Sequence, residues 1–321
     1  MENNTLVIST FAEEVRDGLL QNPKTLPSKY FYNEEGDKIF QTIMGLGEYY
    51  LTRCEFQIFE DHKDRILNQI SSDGAPFRLV ELGAGDGTKT KVLLSHFLNK
   101  KTAFTYAPID ISQNVLDQLS DDLEQNLPGL QIEAIQGDYF DALAGLNAAQ
   151  DMKEVVLFLG SNIGNFSIPA GQQFLNRLGE NMSAGDMLLI GFDLMKNPQT
   201  ILNAYNDKMG VTSEFNLNLL NRINAELGGD FDPDKFKHFP TYDPITGETK
   251  SHLVSTEEQK VYIAELDEYF HFDAWEAIHT EVSQKYSPKM IKQFAAKAGF
   301  ELVQNFTDEC SYFVDSLWRK L

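Results

Sequence analysis

Three glycines on alternate positions, Gly83, Gly85 and Gly87, follow the apolar run Phe77 to Leu82 and its acidic member Glu81. Glycine admits positive φ and carries no Cβ, so a bound molecule can lie directly against the main chain. The helical pattern that follows (Val92, Leu93, Leu94, Phe97, Leu98) puts this turn at the carboxyl end of a buried strand. Open α/β sheets hold nucleotide-like ligands at that edge. The next apolar run ends at Asp110, where a carboxylate can accept from both hydroxyls of a ribose. Asp110 can instead cap the following helix, a role Ser112 can also fill. Gly137-Asp138-Tyr139 closes a further run, with Asp138 able to accept from a base amino group or to cap a helix, and Tyr139 able to stack on a ring. Lys89 can reach a ligand carboxylate or face solvent. A fourth run ends in Leu157-Phe158-Leu159-Gly160-Ser161-Asn162-Ile163-Gly164-Asn165-Phe166, which brings small and amide side chains to the same edge.

The elements that must position these groups alternate. Apolar runs at about 77–82, 104–111, 131–138, 154–160 and 187–194 predict strands, and amphipathic stretches at about 88–99, 112–125 and 169–182 predict helices between them. Such alternation means βαβ units with right-handed crossovers and a doubly wound parallel sheet. A helix at 287–298 and two strands at 301–308 and 311–318 close the chain, the strands pairing antiparallel across a short turn. The intervening stretch, about 195–285, predicts helices at 197–208 and 213–227, a hairpin of 238–243 with 251–256, and a strand at 259–266. It reads as a small α+β subdomain completed by the N-terminal residues. There, Thr10 and Glu13 read as a capping box, and the aromatic segments around Tyr30 to Tyr32 and Tyr49 to Tyr50 read as packing.

Composition bounds the partners. The chain has 321 residues, a net charge of −21 and a pI near 4.6, with no basic cluster to neutralise phosphates, so no nucleic-acid partner is expected. No apolar run approaches membrane-spanning length, and the N-terminus lacks the pattern of a signal peptide. Cys54 and Cys310 form no metal-binding pair, and a reducing cytoplasm is the expected compartment. The six histidines show no metal-ligand spacing, so no metal is expected and each should be superficial or hydrogen-bonded.

The spacing G-x-G-x-G is neither the G-x-G-x-x-G of dinucleotide folds nor a P-loop. Followed by Asp110, it resembles the first motif of class I methyltransferases, which bind S-adenosylmethionine. Parallel strands closed by an antiparallel hairpin resemble the sheet of that class. The resemblance implies an α/β class I methyltransferase Rossmann-like sheet plus a smaller α+β substrate-binding domain. The S-adenosylmethionine-binding domain is expected over 61–196 and 286–321, and the substrate-binding domain over 1–60 and 197–285. Glu81, Gly83, Ala84, Gly85, Lys89, Asp110, Asp138 and Tyr139 are the cofactor-binding residues it implies.

A narrower resemblance runs through nearly the whole chain. The segments LPSKYFYNEEGDKIF, LGEYYLTR, ELGAGDGTKT, PIDIS, GDYF, FLGSNIGNF, NAYNDKMGVTSEFN, ELGGDFDPDKF and TEVSQKYS resemble the histidine-specific, S-adenosylmethionine-dependent N-α-methyltransferases of ergothioneine biosynthesis. That resemblance implies that Tyr32, Tyr49, Asn165 and Tyr205 hold the α-amino and carboxylate groups of an amino acid, with Asn165 and Tyr32 nearest the chemistry. It further implies that Glu281 and Ser283 recognise the imidazole, and that the protein is a monomer acting on a small molecule. One position departs from the pattern, because Ser251 stands where the family usually has methionine in the side-chain pocket. The implied reaction is three successive methyl transfers to the α-nitrogen of histidine. Ser251 leaves open another acceptor such as tryptophan or tyrosine. A cofactor-binding homologue without activity is the reading from another class.

Overall fold

The computed structural model describes residues 9–149 and 152–321. They fall into two compact units, one of residues up to Tyr50 together with Lys196–Ser283, the other of Leu51–Met195 with Gln284–Leu321. The division expected in the sequence lay at 60/61. It falls at 50/51 because Leu51–Ile70 is one unbroken helix whose buried face (Cys54, Ile58, Phe59, Ile66, Leu67) belongs to the larger unit. That helix was not foreseen.

The larger unit is built on a seven-stranded sheet in the order Phe300–Thr307, Phe313–Lys320, Met187–Asp193, Lys153–Phe158, Phe77–Leu82, Phe104–Asp110, Ile135–Gln136. Only Phe313–Lys320 runs antiparallel to its neighbours. This is the class I methyltransferase order. Phe77–Leu82 is buried at all six positions, as a central strand covered on both faces must be. The strand order reverses beside it, so its carboxyl end and that of Lys153–Phe158 flank the switch point of the sheet. Trp318 anchors the terminal strands, its ring 5.8 Å from both Phe192 and Phe300. Asp308 closes the turn between those strands by accepting from the N–H groups of Cys310, Tyr312 and Phe313.

The third predicted strand is the main departure. Of 131–138, only Ile135–Gln136 pairs as a strand, with an isolated bridge from Ile132 to Tyr106. It lies at the sheet edge with one neighbour, and its polar residues leave little burial to hold a longer ladder. The chain then enters the helix Tyr139–Ala149, which sequence periodicity did not reveal.

The smaller unit has a four-stranded sheet in the order Lys24–Thr25, Ala277–Gln284, Glu248–Ser255, Phe236–Tyr242, and a separate pair, Gln259–Ile263 with Glu268–Phe272. The expected hairpin and the strand after it are present, slightly shifted. The strands Glu268–Phe272 and Ala277–Gln284 were missed. Helix Val211–Leu227 supplies Phe215, Leu219, Leu220, Ile223 and Leu227 to one core with Phe31, Leu253 and Val261. It stops at Gly228, whose φ of +64° ends the helix without a Cβ penalty. At the N-terminus Ser9 rather than Thr10 caps the first helix, accepting from the Ala12 N–H. Among the described residues, no helix is long and apolar enough to cross a membrane.

Candidate functional site

The glycine turn leaves its strand at Leu82, where the Gly83 N–H donates to the Ile109 carbonyl. Gly83, Gly85 and Gly87 have φ of +70°, +55° and +63°, which explains their identity. Space separates their roles. A Cβ on Gly83 would lie 2.6 Å from the Tyr139 hydroxyl, whereas one on Gly85 would meet nothing within 4 Å. The turn is thus closed against Tyr139 at its first glycine and open at its second. Behind it, Glu81 accepts from the hydroxyls of Thr90 and Tyr106, both at 2.6 Å. Burial pushes its carboxyl up to about 7, although both bonds pull the other way.

Asp110 is half-buried at the end of its strand, and one oxygen accepts from the Ser112 N–H at 2.9 Å. Ser112 itself caps the next helix, which leaves Asp110 free of that duty. Asp138 does serve as a cap, accepting from the Phe140 N–H at 2.9 Å while remaining exposed. The Tyr139 hydroxyl is pushed up to about 12, first by burial and then by the carboxylates of Asp110 and Asp138. Lys89, at the mouth of the helix Thr90–Asn99, makes a short ion pair with the fully buried Glu55.

Asn165 ends the short 3₁₀ turn Asn162–Asn165. Ser161 enters that turn in the left-handed region, φ +57°, and its hydroxyl accepts from the Asp193 N–H. The Tyr286 hydroxyl donates to the Ile163 carbonyl at 2.9 Å. A Cβ on Gly164 would stand 3.0 Å from the Gln284 carbonyl, so the backbone is packed tightly just before Asn165. Asp193 pairs with Lys285 at 2.9 Å with neither side chain exposed.

In the smaller unit, the Tyr205 hydroxyl donates to Ser283 Oγ at 2.7 Å, and Ser251 Oγ donates to Glu281 at 3.4 Å. Ser251 is buried and Glu281 half-buried. Tyr32 rests edge-on against Phe40 and Phe215, and Tyr49 edge-on against Phe40. Partial desolvation, then the charges of Glu281 and Asp37, raise the Tyr32 hydroxyl above the ordinary phenol value, although the residue as a whole stays exposed. Tyr32, Tyr205, Ser251, Glu281 and Ser283 therefore form one constellation, with Tyr49 joined through Phe40. Asn165 belongs to the other unit.

The same small sheet carries His238, His252 and His279. Both ring nitrogens of His238 are buried without a hydrogen-bond partner, contrary to the expectation that each histidine would be superficial or satisfied. Burial, followed by the neighbouring His252, lowers His238 to about 4, and burial also lowers His252 and His279. A depressed histidine contributes stability above its unfolded value of 6.5, and that contribution drains away as pH falls toward the folded value. Wild-type protein should therefore lose urea resistance from pH 7.5 to pH 5 more steeply than His238→Phe. Parallel pH profiles of the two urea midpoints would refute this. Among the described residues, no group of three histidine, cysteine or acidic side chains is placed to hold a metal.

The model of the family described as "Histidine-specific methyltransferase, SAM-dependent" matches residues 11–320. The chain belongs to that family. It is 35% identical over 307 residues to the Histidine N-alpha-methyltransferase of Mycobacterium tuberculosis (strain CDC 1551 / Oshkosh), covering 96% of this chain and 94% of that protein. It is 30% identical to Ergothioneine biosynthesis protein 1 of Schizosaccharomyces pombe, over 88% of this chain and 37% of that longer protein. It is 29% identical to the 4-dimethylallyltryptophan N-methyltransferase of Epichloe festucae var. lolii, over 62% of this chain and 60% of that protein. As a histidine-specific methyltransferase the chain uses S-adenosylmethionine, and the glycine turn fits that cofactor. Gly85 and Gly137 both border open space where a Cβ would stand, and Asp110 has only one oxygen committed to Ser112. Sequence reasoning in this histidine-specific methyltransferase passed over Glu55, Tyr286, Lys285 and Asp193. An acidic residue on the apolar face of a helix, as Glu55 is, was the one signal available.

Proposed function

We propose that the protein transfers methyl groups to the α-nitrogen of L-histidine, three times in succession, giving the trimethyl betaine. The observation that carries this reading is the placement of Glu281 and Ser283 two residues apart on the strand Ala277–Gln284, with Tyr205 donating to Ser283. A carboxylate and a hydroxyl can bond both nitrogens of an imidazole, and a site built for such bonds rejects side chains that lack them. S-adenosylmethionine supplies, when bound, an electrophilic methyl group on a sulfonium. Gly83, Ala84 and Gly85 offer backbone to it, Asp110 the ribose contact, Asp138 and Tyr139 the base contacts, and Lys89 a partner for its carboxylate. Glu81 holds Thr90 and Tyr106 in place behind the turn.

Asn165 and Tyr32 orient the acceptor nitrogen, with Tyr49 and Tyr205 fixing the rest of the amino-acid backbone. Each transfer forms a C–N bond as the C–S bond breaks, and a proton must leave the nitrogen before the next. The Tyr32 hydroxyl keeps its own proton near neutral pH and serves as a hydrogen-bonding group. Tyrosine faces also suit the fixed positive charge of the product. A place in ergothioneine formation follows from this product.

Ser251 favours a second reading, in which a larger acceptor such as tryptophan or tyrosine is methylated. A serine fills less of the pocket than methionine would. Incubating the purified protein with methyl-labelled S-adenosylmethionine and each of the twenty amino acids decides between them. Histidine should be the preferred acceptor, with product mass showing full trimethylation. Preference for another amino acid would overturn the histidine assignment for this chain.

A further inference from the structure

Glu55 has no part in the roles assigned so far, yet it is fully buried next to them. It projects from the helix Leu51–Ile70, and its two carboxylate oxygens have different partners. Oε2 takes the Lys89 ammonium, and Oε1 accepts from the Gly160 N–H at 2.7 Å. Lys89 immediately follows the glycine turn. Gly160 opens the segment that ends in Asn165.

The surroundings are shaped for this carboxylate. A Cβ on Gly191 would lie 2.6 Å from Glu55 Oε1, and one on Gly160 would lie 3.4 Å from Lys89 Nζ. Gly191 thus leaves the space that the Glu55 carboxylate occupies, while a Cβ on Gly160 would make only an ordinary contact with Lys89. Gly160 has a φ of +72°, in the region that favours glycine. Asp315 stands nearby, also fully buried, and burial together with the Glu55 charge pushes its carboxyl well above the usual carboxylate range.

We propose that Glu55 is a positioning residue for methyl transfer, one oxygen fixing the Lys89 ammonium and the other fixing the root of the segment that carries Asn165. The proposal rests on the roles given above to Lys89 and Asn165. Lysine has a flexible four-carbon stem and three donors, so one donor spent on Glu55 sets the direction of the other two. The Lys89 side chain remains 22% exposed, and its one hydrogen bond among the described residues is to Glu55. Because one side chain grips both segments, a cofactor that engages Lys89 also steadies the backbone leading to Asn165.

A double-mutant cycle tests this, read as S-adenosylhomocysteine affinity by calorimetry and as kcat with histidine. Lys89→Met and Glu55→Gln should each weaken binding by roughly tenfold, the effect of one lost charge-assisted bond. The double variant should bind no worse than Lys89→Met alone, because Glu55 acts through Lys89. Glu55→Gln should in addition lower kcat at saturating cofactor, because its single amide oxygen cannot accept from both Lys89 and Gly160. Glu55→Asp keeps the charge but is one methylene too short to hold both partners. It should show the same direction and stands in if the glutamine variant does not fold. Glu55 variants with unchanged affinity beside a weakened Lys89→Met would overturn the proposal while leaving the site reading intact. So would effects that multiply in the double variant. Unchanged affinity in Lys89→Met would overturn the cofactor role of Lys89 itself, and the proposal with it.

Discussion

Replacing Asp110 with alanine should weaken cofactor binding by about a hundredfold or more while leaving the fold intact. The expectation follows from what Asp110 does in the unliganded chain. It spends one oxygen on the Ser112 N–H, and Ser112, not Asp110, caps the helix Gln113–Asn126. Its removal therefore costs the fold little. Two hydrogen bonds from ribose hydroxyls to a carboxylate contribute roughly 1.5–3 kcal/mol each, and each 1.4 kcal/mol is about tenfold in affinity. Calorimetric titration with S-adenosylhomocysteine measures the loss, and circular dichroism checks the fold. Ser112→Ala provides the contrast, with about 1 kcal/mol of stability lost and affinity nearly unchanged. An Asp110→Ala protein that binds within threefold of wild type would remove the ribose role.

Glu281→Ala should cost histidine its advantage over other amino acids. The carboxylate is half-buried, bonded to the Ser251 hydroxyl and close enough to Tyr32 to raise its pKa. Without it, an imidazole nitrogen would be left unpaired in the pocket, a loss of about 1–3 kcal/mol, hence roughly five- to 160-fold in kcat/KM for histidine. Affinity for S-adenosylhomocysteine should not change, since Glu281 has no assigned role toward the cofactor. Competition between histidine and an equimolar mixture of other amino acids gives the direct measurement. Unaltered preference for histidine in the variant would place imidazole recognition elsewhere.

The strands of the larger unit could be read from sequence where burial is complete. Phe77–Leu82 is apolar on both faces apart from Arg78 and Glu81, and a run of that kind announces a central parallel strand. The edge strand Ile135–Gln136 could not be read so well, because an edge requires little burial and writes little pattern. Leu51–Ile70 was missed for a different reason. Its buried face includes Glu55 and Cys54, and the polar residue that interrupts the apolar stripe is the one that reaches Lys89. The site residues of the smaller unit were found through resemblance, since tyrosines that line a pocket and tyrosines that fill a core share the same composition. Tyr32 and Tyr49 in fact do touch the core residue Phe40. The short strand Lys24–Thr25 was beyond reach, because only its distant partner makes it a strand.

That partner has a consequence for biosynthesis. Lys24 pairs with Ile278, so the first strand of the smaller unit waits for about 250 residues of further chain before its neighbour exists. A ribosome adding about 5–20 residues per second leaves the N-terminal segment unpaired for roughly ten to fifty seconds. During that interval Phe11, Val15, Leu19 and Phe31, all destined for burial, have none of the later core to cover them. The sheet strands up to Asp193, meanwhile, emerge in an unbroken stretch. The segment that carries them must therefore wait for the strand at Ile278, and the acidic residues Glu13, Glu14, Asp17, Glu34, Glu35 and Asp37 spread through it oppose self-association meanwhile.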